Sequence, residues 1–207
     1  MKLLNELFNF VILTSKIYNI DESHSLKHSM DVYYYANNIY KSELPKNHEL
    51  INQKKIIDVS SIIHDMCDKK YMNEKEGIFR IDNFLDNKID KNEKEIVSKI
   101  ISTMSYSKVS KNGFPNLGNH QLAYHIVREA DLLSSYDFDR CIIYQMMKNN
   151  CTYEESIKDA INVFENRVFT YNDKKLFVTN YSKKKSIDLH IKAIKRINFL
   201  KKILKII

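Results

Sequence analysis

Residues 56–65 read IIDVSSIIHD, a strongly apolar stretch that ends in a histidine and an aspartate. The apolar positions recur at intervals of three to four, which predicts a helix over about 48–65. His64 and Asp65 point about 100° apart on a helix of ~3.6 residues per turn, so a cation between those two directions is within reach of both. We therefore expect a helix that ends in two adjacent candidate metal ligands.

Two more residues complete a candidate ligand set, His28 upstream and Asp131 downstream, each expected on a separate helix. Two imidazoles and two carboxylates can hold one divalent cation and leave positions open for water and substrate. Mixed nitrogen and oxygen ligands suit Mn, Fe, Co, Ni or Mg. A His-Asp pair also occurs by chance, and a helical histidine is more often a surface or hydrogen-bonded residue. Residue types alone leave both interpretations open.

The composition favours one α-helical domain. The 207 residues suffice for one domain, and only 3 Gly and 2 Pro occur, fewer than sheets with tight turns require. No apolar stretch reaches the roughly 18 residues of a membrane helix, and residues 1–13 predict an amphipathic helix and not a leader. Three cysteines without paired spacing, Cys67, Cys141 and Cys151, predict reduced thiols and a cytoplasmic, reducing location.

Apolar periodicity and helix breakers predict about seven helices followed by a basic terminal helix. The predicted ranges are about 2–18, 24–44, 48–65, 73–86, 91–104, 120–148 with a bend, and 152–169. Residues 105–119 contain two glycines and a proline and are predicted to form a loop. Thr152 and Glu155 predict a capping box. A polar stretch over about 171–185 leads to the terminal helix.

The net charge of +7 is concentrated toward the end of the chain. A basic helix can attract the phosphates of nucleic acid, lipid or nucleotides. The alternative, which we favour, is that the lysines form the solvated face of a helix. We divide the chain into a domain at 1–180 and a basic amphipathic helix at 181–207, packed on the same domain.

In its motifs the chain resembles the HD-domain superfamily of metal-dependent phosphohydrolases. His28 is followed by Val32 and Ala36, as in the first motif of that family. Residues 62–71 are similar to the second motif of a subgroup of small members, and 130–133 resemble the last motif. The likeness runs from about residue 21 to 145. Each motif is weak by itself, whereas the ordered set is specific.

The resemblance implies an all-α, single-domain helical bundle of the HD-domain type. It implies one divalent metal ion (Mn, Co, Ni, Fe or Mg) held by His28, His64, Asp65 and Asp131. It further implies a metal-dependent phosphohydrolase. Residues 134–139 depart from the family, because small bacterial members have a glycine-rich stretch there, so we expect a larger or more polar pocket wall in this chain.

Candidate catalytic residues lie next to the ligands. Asp68 can accept a proton from the attacking water, or it can serve only as a hydrogen-bond acceptor in the loop. His24 shares a helix face with His28 and can donate to phosphate or to a leaving oxygen; alternatively it supports His28. Glu129, by contrast, is expected to face away from the site or to form a surface pair.

Four residues are candidates for substrate binding. Lys69 and Lys70 can hold phosphate as point charges, and Lys70 matches a lysine of the subgroup. Tyr106 can stack on a base, although a plain solvated loop is the alternative for its segment. Arg140 falls where the subgroup often has an arginine.

We therefore expect hydrolysis of a phosphate ester or anhydride of a small molecule, a nucleotide being the favoured substrate. The alternative is a non-catalytic metal- or nucleotide-binding regulatory protein whose basic terminal helix contacts nucleic acid or a partner. Nucleic acid is possible as a partner but is not favoured, and no membrane association is expected. The sequence leaves the oligomeric state open.

Overall fold

The apolar stretch at 56–63 forms the central helix of the fold. In the computed structural model, which describes residues 1–205, this helix spans Lys54–Ile63. Ile57, Ile62 and Ile63 are fully buried, because neighbouring helices cover them on several sides. The predicted start at about residue 48 is wrong, since residues 48–53 form a separate 3-10 helix, His48–Gln53.

Residues 1–205 contain ten α-helices and no strand. The helices are α1 (Lys2–Tyr18), α2 (Leu26–Glu43), α3 (Lys54–Ile63), α4 (Glu74–Leu85), α5 (Lys91–Thr103), α6 (Tyr106–Asn112), α7 (Gln121–Ser134), α8 (Phe138–Asn149), α9 (Tyr153–Asn166) and α10 (Asn180–Leu204). Short 3-10 helices lie at Leu44–Lys46, Gly118–His120 and Val168–Thr170. The predicted all-α class is confirmed.

Helix α6 lies within the segment that was predicted to be a loop. It begins after Ser105 and ends at Gly113, whose φ of 72° a residue with a side chain rarely adopts. Val109, on the inner side of this helix, is buried, and Lys108 pairs with Glu74 of α4. These tertiary contacts stabilise a seven-residue helix whose own sequence is almost entirely polar.

The predicted bent helix over 120–148 is two helices, α7 and α8. The hydroxyl groups of Ser134 and Ser135 donate to the carbonyl oxygens of Asp131 and Leu132, and Asp137 then caps α8 by accepting from the backbone N–H of Arg140. Side chains of this kind satisfy the polar groups at a helix break. Helix α7 therefore ends at Ser134, less than one turn after Asp131.

The packing of the helices places one end of α3 against α2 and α7. Helix α2 makes its most extensive contact with α7, and α3 also contacts α1, α2, α5 and α7. Helices α8 and α9 pack as a pair beside this group. The end of α3, the first turn of α2 and the last turn of α7 consequently meet at one place.

The basic helix predicted at 181–207 is α10, which begins at Asn180; residues 206–207 lie outside the described part of the chain. Ala193, Ile197 and Leu200 are buried, and the helix packs against α2, α7 and α8. Most of its lysines are exposed, as expected for a solvated face. Across residues 1–205, no helix combines the length and the apolar character needed to cross a membrane.

Glu129 faces away from the candidate site, as one of the two alternatives predicted, but it is buried, so the predicted surface pair is wrong. It is 0% exposed, and its carboxylate accepts hydrogen bonds from the backbone N–H groups of Val178 and Thr179 and from the Thr179 hydroxyl. Arg128, also buried, lies 3.3 Å from it. Glu129 thus fixes the segment that enters α10.

Candidate metal centre

Three helices bring the four predicted metal ligands together. His28 lies in the first turn of α2, His64 is the residue at the end of α3 and Asp65 follows it, and Asp131 lies in the last turn of α7. The Nε2 atoms of His28 and His64 are 3.1 Å apart. His28, His64 and Asp65 each offer a ligand atom within 4.8 Å of the other two.

The two carboxylates complete the cluster from both sides. Nε2 of His28 lies 3.1 Å from an oxygen of Asp65 and 3.4 Å from an oxygen of Asp131. Nε2 of His64 lies 3.4 Å and 3.8 Å from oxygens of the same two residues. Ligand atoms about 2.1 Å from one metal and at right angles to each other lie about 3.0 Å apart. The measured spacing is close to what a shared cation requires.

The ring of His64 is oriented as a ligand. Its Nδ1 lies 3.0 Å from the carbonyl oxygen of Ser61, which can only accept, so the proton of the neutral ring is on Nδ1. The lone pair is then on Nε2, within the cluster. A backbone carbonyl behind a histidine is a common way to orient a metal ligand.

The ring of His28 has a different environment behind it. Its Nδ1 lies 2.8 Å from Nη1 of Arg140 and 3.3 Å from the hydroxyl of Ser134. Because a guanidinium can only donate, Nδ1 accepts this hydrogen bond, and the proton of the neutral ring is on Nε2. Ligation by Nε2 would require that proton to move to Nδ1. The Nδ1–H group could then donate a hydrogen bond to the hydroxyl oxygen of Ser134.

Both carboxylates are ionised. Burial opposes the charge on Asp65, but the imidazoles of His64 and His28 hold the pKa of its carboxyl well below the ordinary value. Burial likewise opposes the charge on Asp131, and hydrogen bonding to His28 together with His64 lowers its pKa. Oδ2 of Asp65 is buried without a hydrogen-bond partner. This oxygen lies 3.1 Å from Nε2 of His28, and Oδ1 of the same carboxylate lies 3.4 Å from Nε2 of His64. A buried carboxylate whose two oxygens face two ring nitrogens is a donor set that suits a divalent cation.

A cavity opens directly onto this cluster. Its volume is about 240 Å³, and His28, Asp65 and Asp131 form part of its wall. A smaller cavity of about 130 Å³ lies beside it and also includes His64. Larger depressions of about 460 and 330 Å³ lie elsewhere, and neither is lined by any of the four candidate ligands. The chemistry, and not the volume, therefore identifies the candidate site.

His24 lies in the turn before α2, so the prediction that it shares a helix face with His28 is wrong. It is part of a polar network on the wall of the larger cavity. Its Nδ1 is 2.6 Å from the Ser23 hydroxyl and 3.1 Å from the Tyr71 hydroxyl, which donates to Asp21 at 2.5 Å. Burial lowers the pKa of His24 despite the opposing effect of Asp21. The neutral ring presents Nε2 to the ammonium of Lys70 at 3.1 Å.

Asp68 and Lys70 lie together at the border of the two cavities. The ammonium of Lys70 is 3.2 Å from one oxygen of Asp68, whose other oxygen accepts from the backbone N–H of Lys70 at 2.9 Å. Asp68 therefore has the predicted loop role, and it also borders the cavity where a reacting water would lie. Lys69 is exposed and lines only the smaller cavity.

Tyr106 and Arg140, two of the candidates for substrate binding, line the larger cavity. Arg140 also donates to the carbonyl oxygen of Ser23 at 3.0 Å, so it connects the turn before α2 to α8. Tyr106 lies in α6 and not in a solvated loop. The cavity wall thus contains three of the four predicted substrate-binding residues.

Three residues that were not predicted also line the larger cavity, namely Tyr144, Arg167 and Tyr171. The Tyr144 ring packs against His24 and lies 5.3 Å from the Lys70 ammonium. Arg167 follows α9 and packs on Tyr106. Their positions depend on how α8 and α9 pack, and no motif marks them.

No protein-family model and no curated protein matches the chain. The fold is similar to the crystal structure of a protein from Lactobacillus plantarum, a Northeast Structural Genomics target, with a TM-score of 0.74 and 16% sequence identity. The match covers 99% of this chain and 98% of that one. At this identity the likeness shows a shared fold alone.

Proposed function

We propose that this chain is a metal-dependent phosphohydrolase of the HD-domain type that acts on a phosphorylated small molecule, with a nucleotide as the favoured substrate. The observation that carries the proposal is the convergence of His28, His64, Asp65 and Asp131 on one point at the wall of a cavity. Three free thiols support a reducing compartment such as the cytoplasm.

A divalent cation held by these four residues would supply an activated water and neutralise charge that develops on phosphorus. The other residues of the cavity have separate roles. Lys70 and Arg140 attract the phosphate, and Asp68 accepts a proton. The contacts of His24 with Ser23 and Tyr71 hold its ring toward Lys70, so His24 positions that ammonium and can donate to a leaving oxygen after the ring turns.

A non-catalytic metal- or nucleotide-binding role is the rival proposal for the same site. The enzyme is favoured because Asp68 and His24 border the cavity beside the ligands, where a pure binding site has no use for proton carriers. Helix α10 favours the rival, because it exposes lysines and also apolar side chains such as Ile187, Ile191 and Phe199. The lysines by themselves are explained by a solvated helix face.

The test uses the full chain, prepared free of metal. Calorimetry would measure the binding of Mn, Co, Ni and Mg, and a phosphate-release assay would screen nucleoside mono-, di- and triphosphates and a generic phosphomonoester. The variants are His64→Ala and Asp131→Ala. The matched controls are His120→Ala and Asp188→Ala, which lie outside the site.

Metal-dependent phosphate release that is lost in both site variants and kept in both controls would support the hydrolase. Tight metal binding without release from any substrate would favour the rival. If the wild-type chain bound none of the metals, the hydrolase and the metal-binding form of the rival would both be wrong.

A further inference from the structure

The two cavities at the candidate metal centre meet at Arg167, which lines both of them together with Tyr106. We propose that Arg167, held against Tyr106, is a second anion-binding subsite, so that the preferred substrate carries another anionic group besides the phosphate that is cleaved. The identity of the cleaved group rests on the proposed function, whereas the subsite rests on residues outside the ligand set.

Two tyrosines contact the guanidinium of Arg167, Tyr106 at its face and Tyr171 at its Nε edge. Its central carbon lies 4.3 Å from the centroid of the Tyr106 ring, and its Nε donates to the Tyr171 hydroxyl at 3.1 Å. Tyr171 is fully buried, so the hydroxyl that accepts this bond is held in the core, whereas Arg167 itself is exposed to solvent. An arginine that stacks on an aromatic ring keeps its planar fork ordered without losing its charge.

The fork of Arg167 has no protein acceptor. Within residues 1–205, Arg167 forms no ion pair, and its only side-chain hydrogen bond uses Nε. The two terminal amino groups are therefore available to one ligand. Their geometry matches the two oxygens of a carboxylate or a phosphate.

Lys174 adds a second positive charge beside the same ring. Its ammonium donates to the Tyr106 hydroxyl at 2.9 Å and lies 5.6 Å from the ring centroid, and it too has no carboxylate partner in the described part of the chain. The hydrogen bond from Lys174, together with Arg167, lowers the pKa of Tyr106. Lys174 lines neither cavity, so we assign it to positioning Tyr106.

The position of Arg167 relative to the ligands limits the substrate class. Asp65 and Asp131 border both cavities, so a molecule at the ligand cluster can reach Arg167 without leaving the site. Cavities of about 240 and 130 Å³ admit a small molecule only. The preferred substrate is therefore a compact phosphate ester or anhydride with a second phosphate or a carboxylate.

The first experiment compares two substrates of equal shape, 4-carboxyphenyl phosphate and 4-carbamoylphenyl phosphate. The wild-type enzyme should hydrolyse the charged substrate with at least a tenfold higher kcat/KM. Arg167→Gln should bring this ratio close to one, and Arg167→Lys should keep part of it. The same ratio of kcat/KM values, measured for a nucleoside 3′,5′-bisphosphate and a nucleoside 5′-monophosphate, shows whether a second phosphate binds this subsite as well as a carboxylate does. An unchanged ratio in Arg167→Gln would overturn the subsite.

The second experiment requires no turnover. Calorimetry would measure the binding of inorganic phosphate to the metal-free wild-type protein, to Arg167→Gln and to Arg196→Gln, a matched control on α10 that pairs with Asp139. Arg167→Gln should weaken binding at least fivefold, and the control should change it less than twofold. Equal affinities in all three proteins, or no binding to the wild type, would contradict the proposal. If phosphate binding depends on Arg167 but no substrate is hydrolysed, the subsite stands and the proposed function fails.

Discussion

Nη1 of Arg140 lies 2.8 Å from Nδ1 of His28, at the nitrogen where a metal-ligating histidine would carry its proton. Because the guanidinium only donates, the neutral ring of His28 has its proton on Nε2, directed into the cluster with His64 and Asp65. Cation binding by Nε2 and the Arg140 hydrogen bond therefore exclude each other. If the ring acted as a metal ligand, this hydrogen bond would be lost and Arg140 would be free to turn toward the cavity that it lines.

Arg140→Gln should therefore increase metal affinity, because a glutamine can accept a hydrogen bond from Nδ1–H of His28. Changes behind a ligand alter affinity by roughly 10-fold or more, and we expect a gain of that order. Phosphate affinity should fall in the same variant. Calorimetry measures the two affinities separately, with Mn as one titrant and inorganic phosphate as the other. Lys70→Gln is the control, since it removes a charge from the same cavity away from His28. A weaker metal site in Arg140→Gln than in Lys70→Gln would contradict this account.

Glu129→Gln should destabilise the fold. The carboxylate is fully buried and accepts from Val178 and Thr179, and its loss leaves Arg128 as an uncompensated buried charge. Removal of one partner of a buried pair costs about 3–5 kcal/mol in the free energy of unfolding. Urea denaturation measures the change. Glu154→Gln, which removes an exposed pair with Lys158, should cost less than about 1 kcal/mol. Equal effects of the two substitutions would show that the buried pair is not important for stability.

Helix positions marked by local signals could be predicted from the sequence. Helix α5 begins with the capping box of Asp90 and Glu93, and α9 begins with that of Thr152 and Glu155. The apolar run at 56–63 is buried as a central helix. These features depend on residues near each other in the chain, so spacing and side-chain chemistry suffice.

Features that depend on tertiary contacts were missed. Helix α6 is stabilised by the pair between Lys108 and Glu74, and the buried position of Glu129 follows from its bonds to the start of α10. The four candidate ligands were predicted from the order of motifs, since nothing in the spacing alone says which helices meet. Arg167 belongs to no motif, and only the packing of α9 on α8 and its neighbours places it in the cavity wall.

Gly77→Ala should destabilise the protein, although alanine normally favours a helix over glycine. A Cβ atom at Gly77 in α4 would lie 2.6 Å from Cα and 2.7 Å from Cβ of Cys67. The backbone at Cys67 is restrained on both sides, because Asp65 contacts His28 and Asp68 pairs with Lys70. Overpacking of this kind costs about 1–3 kcal/mol.

Urea denaturation tests the Gly77→Ala prediction, with Lys75→Ala on the exposed face of the same helix as control; the control should change stability by less than about 0.5 kcal/mol. We also expect weaker metal binding in Gly77→Ala, since the displaced turn carries Asp65. Increased stability in this variant would mean that α4 can shift away from Cys67 at no cost.

His125 should make the stability of the protein depend on pH above the range of its carboxylates. The ring is 8% exposed, and burial together with the charge of Arg128 lowers its pKa from 6.5 to about 4. Gln121 accepts from the backbone N–H of Leu117 through Oε1, so its amide group donates to Nε2 of His125 at 3.1 Å. Protonation of Nε2 would place a second N–H group against the Gln121 amide donor and remove this hydrogen bond, so the neutral ring is favoured in the folded protein.

The sign follows from proton binding. Between pH 6.5 and about 4 the unfolded chain carries a proton on residue 125 and the folded chain does not, so the free energy of unfolding falls as the pH is lowered through this range. The full effect is about 3 kcal/mol. Urea denaturation of the metal-free protein at a series of pH values should show a shallower fall for His125→Gln than for the wild type. His48 lies at the surface, so His48→Gln should keep the wild-type slope. Equal slopes in all three proteins would mean that folding does not lower the pKa of His125.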